Sequence, residues 1–141
     1  MTTMNVLNSA GGTEAVQKPG AQVDGGLSIF KSLDVDETCD STQQVKASAG
    51  QVYGGWVYNA AASILYLKFY NVVAASVTVG TTVPVITLPL PPASLVVLGG
   101  PGLAHGIEFT TAISVAVTTG LADNNAGAPA TNDIVANIFY K

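Results

Sequence analysis

The stretch "GIEFTTAISVAVTTG" (residues 106–120) decides the fold class, because its residues alternate between two different faces. One side of the stretch is hydrophobic and carries Ile107, Phe109, Ile113, Val115 and Val117. The other face is small and nearly uncharged, with Glu108, Thr110, Ala112, Ser114, Ala116 and Thr118. A period of two is typical of a β-strand that buries one face, so the stretch predicts a strand over 107–118.

The small second face of this strand differs from an ordinary solvent face, which would carry several lysines and glutamates. We therefore expect it to contact protein without desolvating charges. Ala112, Ser114 and Ala116 are the candidate residues for a contact with a neighbouring subunit. The alternative is a two-layer sandwich in which this strand is buried on both faces.

The rest of the chain repeats the alternating pattern in short segments separated by Gly, Pro and Asn, which indicates an all-β antiparallel sandwich or barrel. The other predicted strands cover 44–48, 51–58, 63–73, 76–79, 83–90, 94–98 and 133–140. A long polar loop, 120–133, precedes the last strand.

The N-terminal part of the chain has a different composition. Residues 1–27 are rich in Gly, Ser, Thr, Asn and Gln, which is typical of an extended or disordered arm. The segment "LSIFKSLDV" (27–35) is either a short strand or an arm segment that pairs with a neighbour, and Ile29, Phe30 and Leu33 are its candidate interface residues. We therefore predict an extended arm over 1–43 and a β-sandwich domain over 44–141.

Charge is scarce, at 10% of residues with five lysines and no arginine. Residues 46–141 hold three acids and three lysines, so their net charge is zero. Nucleic acid and anionic membrane surfaces require a basic stripe, and the sequence has none, so neither is an expected partner. A neutral domain has little electrostatic protection against association, which favours a surface used in ordered contacts.

The sequence lacks the patterns typical of a membrane-spanning helix and of a signal peptide. Residues 69–107 contain no Asp, Glu, Lys or Arg, but their prolines and glycines argue against a membrane-spanning helix. The N-terminus lacks the basic start and the apolar core of a signal peptide, and the single Cys39 excludes an internal disulfide. We expect a soluble protein made in the cytoplasm.

The sequence offers little catalytic or metal-binding chemistry. The lone His105 lacks the companions that a zinc site or a catalytic pair needs. The acidic run of Asp34, Asp36, Glu37 and Asp40 lacks the further ligands of a calcium loop, and these acids disfavour the thiolate of Cys39. We predict no catalytic residues, no cofactor and no metal. One binding alternative is a carbohydrate platform formed by clustered aromatic residues, namely Tyr53, Trp56, Tyr58, Tyr66 and Tyr70.

Several sequence blocks together resemble small structural proteins of tailed bacteriophages. They are "SLDVDET" (32–38), "VKASAGQVYGGWVYN" (45–59), "YLKFYN" (66–71), "TTVPVITLPLP" (81–91) and "TGLADNNAGAPATNDIVANIFYK" (119–141). The resemblance covers about residues 27–141.

The resemblance implies a capsid decoration or cement protein, of a kind that is β-rich, often trimeric and bound to the outer shell. The expected fold is then an antiparallel β-sandwich of jelly-roll type with an extended N-terminal arm. The expected partners are the major capsid protein and two further copies of the chain, and the expected location is the outer capsid surface of the virion. The alternative is a tail-fibre or baseplate component that binds a host receptor or a surface carbohydrate.

Overall fold

The computed structural model describes residues 3–7, 13–17, 26–33, 42–100, 103 and 105–141. These residues form eleven β-strands and one short 3₁₀ turn at Ala74–Ser76. The strands are β1 (Thr3–Leu7), β2 (Thr13–Gln17), β3 (Ser28–Leu33), β4 (Gln43–Lys46), β5 (Gly50–Asn59), β6 (Leu65–Tyr70), β7 (Ile86–Leu90), β8 (Ser94–Leu98), β9 (Ile107–Phe109), β10 (Ile113–Thr118) and β11 (Ile134–Tyr140).

Nine of these strands form two antiparallel sheets that pack face to face. Sheet I has the order β3-β11-β5-β8, and β9 pairs with the first residues of β5. Sheet II has the order β4-β10-β6-β7. Among the described residues, β1 and β2 pair only with each other, as an antiparallel hairpin. The prediction of an all-β antiparallel sandwich is confirmed.

The strand pairs are nested along the chain. The innermost pair is β6 with β7, and around it come β5 with β8, β4 with β10 and β3 with β11. Successive pairs alternate between sheet II and sheet I. The chain is therefore wound as one long antiparallel ribbon, with each pair folded over onto the opposite sheet.

The core lies between the two sheets and consists of the inward residues of the alternating strands. Phe69 of sheet II meets Phe109 of sheet I with ring centroids 6.2 Å apart, so two aromatic rings bridge the layers. The remaining buried members are aliphatic: Val45, Val52, Val57, Leu65, Leu67, Leu90, Ile113, Val115, Val117, Ile134, Ala136 and Ile138.

The prediction of one continuous strand over 107–118 is wrong, because the stretch belongs to two sheets. Its first part is β9 in sheet I and its last part is β10 in sheet II. Asn71 holds the crossing between them: its Oδ1 accepts from the Thr111 amide over 2.8 Å, and its Nδ2 donates to Thr110 Oγ1 over 2.9 Å. The alternation of inward and outward residues continues from β9 into β10, so Phe109 and Ile113 both face the core.

Strand β10 is buried on both faces, as the two-layer alternative predicted. Ala112, Ser114 and Ala116 are at most 3% exposed within the single chain. Segments 71–82 and 119–133 supply the contacts over this face: Ser114 Oγ donates to the Val72 carbonyl over 2.7 Å. The prediction of a subunit contact at these three positions is therefore corrected, because their side chains are buried within the single chain and leave no accessible surface for a neighbour.

Two other segments differ from the prediction. Residues 76–79 form no strand; the chain makes the 3₁₀ turn and then a turn closed by the amides of Thr81 and Thr82 on the Thr78 carbonyl. Strand β3, expected within the arm, pairs with β11 over six residues and lies at the edge of sheet I.

Candidate interaction surface

The outer face of sheet I is exposed and apolar. The strand register places its exposed apolar side chains side by side, on the opposite side from the core residues of the same strands. We call this set the apolar face: Ile29, Trp56, Tyr58, Leu95 and Val97. Val97 is 69% exposed and Trp56 is 38% exposed, so large apolar side chains of three strands, β3, β5 and β8, are open to water.

A β-bulge in β5 produces this face. Tyr140 of β11 pairs with Val52, whereas Phe139 pairs with Gly54, so Tyr53 is the extra residue. The bulge reverses the alternation along β5: Val52 and Val57 both face the core, although they are separated by an odd number of positions. As a result, Trp56 and Tyr58 point outward.

The bulge also opens a groove in the middle of the face. Gly54 has no side chain, and the space of about 430 Å³ around it is lined by Tyr53, Trp56, Val97 and Phe139, among others. The Tyr53 hydroxyl donates to Gln51 Oε1, so this polar group already has a partner. The groove therefore offers mainly apolar contact.

Charged residues lie only at the margin of the outer face of sheet I in the described part of the chain. Lys31 lies on the edge strand β3, in register with Asn137. Glu108 lies in β9 at the opposite edge, in register with Gln51, and Lys141 follows the end of β11 beside Gln51. At the centre, the Nδ2 of Asn137 is buried and has no hydrogen-bond partner among the described residues.

The candidate residues of β3 divide between the two sides of sheet I. Ile29 is exposed and belongs to the apolar face. Phe30 points inward and packs against the core, so it serves the chain's own interior. Leu33 pairs with Val135, and its side chain lies outside the described residues.

The predicted aromatic platform does not assemble as a whole. Trp56 and Tyr58 lie on the apolar face and Tyr53 lines the groove, but the other two members belong to sheet II. There Tyr66 is half-buried and Tyr70 is fully buried. Two of the five aromatic residues therefore cannot contribute to a sugar-binding surface.

Of the candidate catalytic and metal-binding residues in the sequence, the structure describes His105. His105 is exposed in the turn before β9, without a hydrogen bond or ion pair to a carboxylate in that part of the chain. The described residues contain no cluster of three or more potential metal ligands, and no helix among them could span a lipid bilayer. Cys39 and the acidic run 34–40 lie outside the described residues.

Sequence reasoning missed Leu95, Val97 and Phe139 as surface residues. The strand 94–98 was predicted with the observed bounds, and its alternation is visible in the sequence. What the sequence does not contain is the register of β8 against Trp56 and Tyr58, which sets these side chains on one face.

Comparisons with protein families, with curated proteins and with solved structures find no match to the chain.

Proposed function

We propose that the protein is a non-enzymatic structural protein that works by assembly, and that the apolar face is its assembly surface. The observation that carries the proposal is the exposure of the five apolar side chains on one face of one sheet. A contiguous apolar patch of this kind on a soluble protein marks an interaction site. Because the patch is uncharged at its centre, a partner can cover it without desolvating ions.

Within this class we propose a capsid decoration protein of a tailed bacteriophage, located on the outer surface of the virion and bound to the major capsid protein as a homo-oligomer. The resemblance of residues 27–141 to phage structural proteins supports this. The nested strand pairing supports a jelly roll, because that fold is an antiparallel ribbon wound into two sheets. Jelly rolls are common in viral capsid and lectin domains.

The copy number of the chain in purified particles of the encoding phage tests this function. Quantitative mass spectrometry gives it relative to the major capsid protein. We expect a number comparable to that of the capsid protein, since only the shell offers so many equivalent sites. A handful of copies would place the chain in the tail, and absence from the particle would overturn the proposal.

A second candidate is a tail component that binds a surface carbohydrate. The exposed rings of Trp56 and Tyr58 beside the groove favour it, since flat aromatic side chains pack against sugar rings. It is weakened by the polar groups that the described residues place there: the Tyr53 hydroxyl is paired with Gln51 and the Asn137 amide nitrogen is buried, whereas sugar sites need convergent, accessible hydrogen-bonding side chains.

Glycan-array binding by the isolated chain tests this second function. Binding that is lost in Trp56→Ala, while the variant keeps its far-ultraviolet circular dichroism, would support it. Phe139→Ala tests whether the groove takes part, and no binding to any glycan would reject this candidate.

A further inference from the structure

We infer that the apolar face binds the same face of a second copy of this chain, through a two-fold contact centred near Gly54 and Phe139. The inference rests on the proposed function in taking the apolar face as an assembly surface. It does not require binding to a capsid. It predicts a dimer, whereas the resemblance implies a trimer.

Within the described part of the chain, one of the two outer sheet faces is covered by other segments and the other is not. The outer face of sheet II lies beneath segments 71–82 and 119–133, which contact it through Ser114 and Lys68. No described segment lies over the apolar face, whose members remain up to 69% exposed. Among the described segments, a cover is therefore present on the sheet II side alone.

The chemistry of the groove indicates the kind of partner that the apolar face can bind. The lining of the groove is apolar, the Tyr53 hydroxyl is already paired with Gln51, and the Asn137 amide nitrogen is covered. A sugar would leave most of its hydroxyls without partners here. An apolar and uncharged surface fits, and another copy of the apolar face is such a surface.

The charges at the margin of the apolar face are placed so that two copies can pair them. Glu108 and Lys31 lie at opposite corners of the face, three strand positions apart and four residues apart along β11. From strand spacing and rise, this separation is roughly 20 Å.

A two-fold axis midway between these corners passes close to Gly54 and Phe139, and it places Lys31 of each copy over Glu108 of the other. The same operation crosses the strands of the two copies at nearly a right angle, which is one of the two usual sheet-on-sheet packings. Like charges are thereby kept apart while the apolar centres meet.

The size of the face is consistent with a weak, reversible dimer. Four strands and five to six residues give a projected area on the order of 350 Å² per copy. Doubled for the pair, and with side-chain relief added, this is smaller than a standard specific interface and in the range of weak, transient contacts. We therefore expect dissociation constants in the micromolar range rather than an obligate dimer.

Sedimentation equilibrium of the full chain, from about 1 to 200 µM, tests the inference. We expect the mass to rise toward twice 14.3 kDa. Val97→Lys should raise the dissociation constant at least about tenfold. The matched control is Val83→Lys, because Val83 is 68% exposed against 69% for Val97 but lies outside sheet I. It should dimerise as the wild type does.

A charge exchange tests the two-fold geometry. Lys31→Glu and Glu108→Lys should each raise the dissociation constant several-fold, because each places like charges opposite one another. The double variant Lys31→Glu/Glu108→Lys restores opposite charges and should return to within about twofold of the wild type. Failure of the double variant to recover would overturn the proposed axis.

Trp56 is the only tryptophan, so its fluorescence reports directly on the face. We expect its emission to shift to shorter wavelength as the chain dimerises and to remain red-shifted in Val97→Lys. A monomer over the whole range with Trp56 open to acrylamide, or a mass three times that of the chain, would overturn the inference. So would a monomer with Trp56 shielded, since a segment of the same chain would then cover the face.

The dimer and the capsid decoration function are tested independently, by the mass of the chain in solution and by its copy number in phage particles. A dimer that is absent from phage particles would leave the inference standing and reject capsid decoration. A monomer present in particles at capsid-like copy number would do the reverse.

Discussion

The ammonium group of Lys68 donates a hydrogen bond to the carbonyl oxygen of Ala122 over 2.7 Å, although Lys68 lies on the central part of sheet II and is fully buried. Its cross-strand partner is Ala116. The small residues of β10 thus stand opposite the large residues of β6: Ser114 pairs with Tyr70, Ala116 with Lys68 and Thr118 with Tyr66. The small face of β10 therefore makes room for the long side chains of β6, and that of Lys68 reaches the loop 119–133.

The burial of Lys68 predicts a stability that changes with alkaline pH. Desolvation lowers the pKa of Lys68 below 10.5, and the charge of Asp123 opposes part of this effect. Between the lowered pKa and 10.5 the unfolded chain holds more protons than the folded one, so the free energy of unfolding should rise with pH in that window. Urea titrations at increasing pH measure this rise.

The variant Lys68→Met should abolish that rise, because Met has similar length and no proton to lose. Lys46→Met removes a lysine from β4 and is the matched control, which should retain the wild-type slope. An unchanged slope in Lys68→Met would show that another group releases the proton.

Tyr70 predicts the opposite trend at higher pH. Its hydroxyl is buried without a hydrogen-bond partner among the described residues, and burial, with the charge of Asp123, raises its pKa above 10.0. Above pH 10.0 the unfolded chain loses this proton first, so the free energy of unfolding should fall as pH rises toward the raised pKa.

Tyr70→Phe should remove this fall, and at neutral pH it should stabilise the protein by up to about 1 kcal/mol by removing an unpaired buried group. Tyr66→Phe alters a half-buried tyrosine of the same strand and should leave both properties near the wild type. A clear loss of stability in Tyr70→Phe would mean that the hydroxyl has a partner, such as a bound water.

The sequence could predict which residues form strands better than how the strands meet. The alternation in 94–98 and 133–140 gave strands close to those observed, because a half-buried strand needs a local period of two. The break between β9 and β10 lay beyond this reasoning, since Asn71, some 40 positions earlier in the chain, fixes it. The alternation of inward and outward residues continues unchanged from β9 to β10, so no local pattern in the sequence marks the break between them.

The same limit applies to the apolar face. Trp56 and Tyr58 were visible as an aromatic pair, but their exposure depends on the bulge at Tyr53. The partners Leu95 and Val97 come from a strand about 40 positions later. Register between distant strands is set by packing of the whole core, and composition alone cannot supply it.

Asn59 should be one of the most sensitive positions in the protein. It is fully buried at the end of β5, and its Nδ2 donates to the carbonyls of Ser63, Leu90 and Pro91 at 2.9 to 3.1 Å. Its Oδ1 accepts from the Ala61 amide over 2.9 Å. One side chain thus joins the turn after β5 to the connection between β7 and β8.

Asn59→Ala should lower the free energy of unfolding by about 2–4 kcal/mol, because it leaves buried backbone groups unpaired. Asn59→Asp keeps the size but faces carbonyl oxygens with a carboxylate, so it should be at least as destabilising at neutral pH and less so in acid. Asn124→Ala, at an exposed position, is the control and should stay within about 0.5 kcal/mol of the wild type. Equal effects of Asn59→Ala and Asn124→Ala in urea titrations would contradict this role.

Gly55 should tolerate no side chain, because the neighbouring strand approaches it too closely. A Cβ at this position would lie 2.1 Å from the Asn137 carbonyl oxygen and 3.0 Å from the Ile138 Cα, and the backbone φ of +149° is one that other residues rarely adopt. Both obstructing atoms belong to the backbone of β11, so relief would require the two central strands of sheet I to separate. Gly55→Ala should therefore cost about 3 kcal/mol or more in the free energy of unfolding and should increase hydrogen exchange of the β11 amides.

Gly26→Ala is the matched control, since nothing lies within 4 Å of its added Cβ, and it should change stability by less than about 0.5 kcal/mol. If Gly55→Ala unfolds at the wild-type urea concentration, β5 and β11 are not held in the register that places Trp56 beside Asn137, and the apolar face would need to be redrawn.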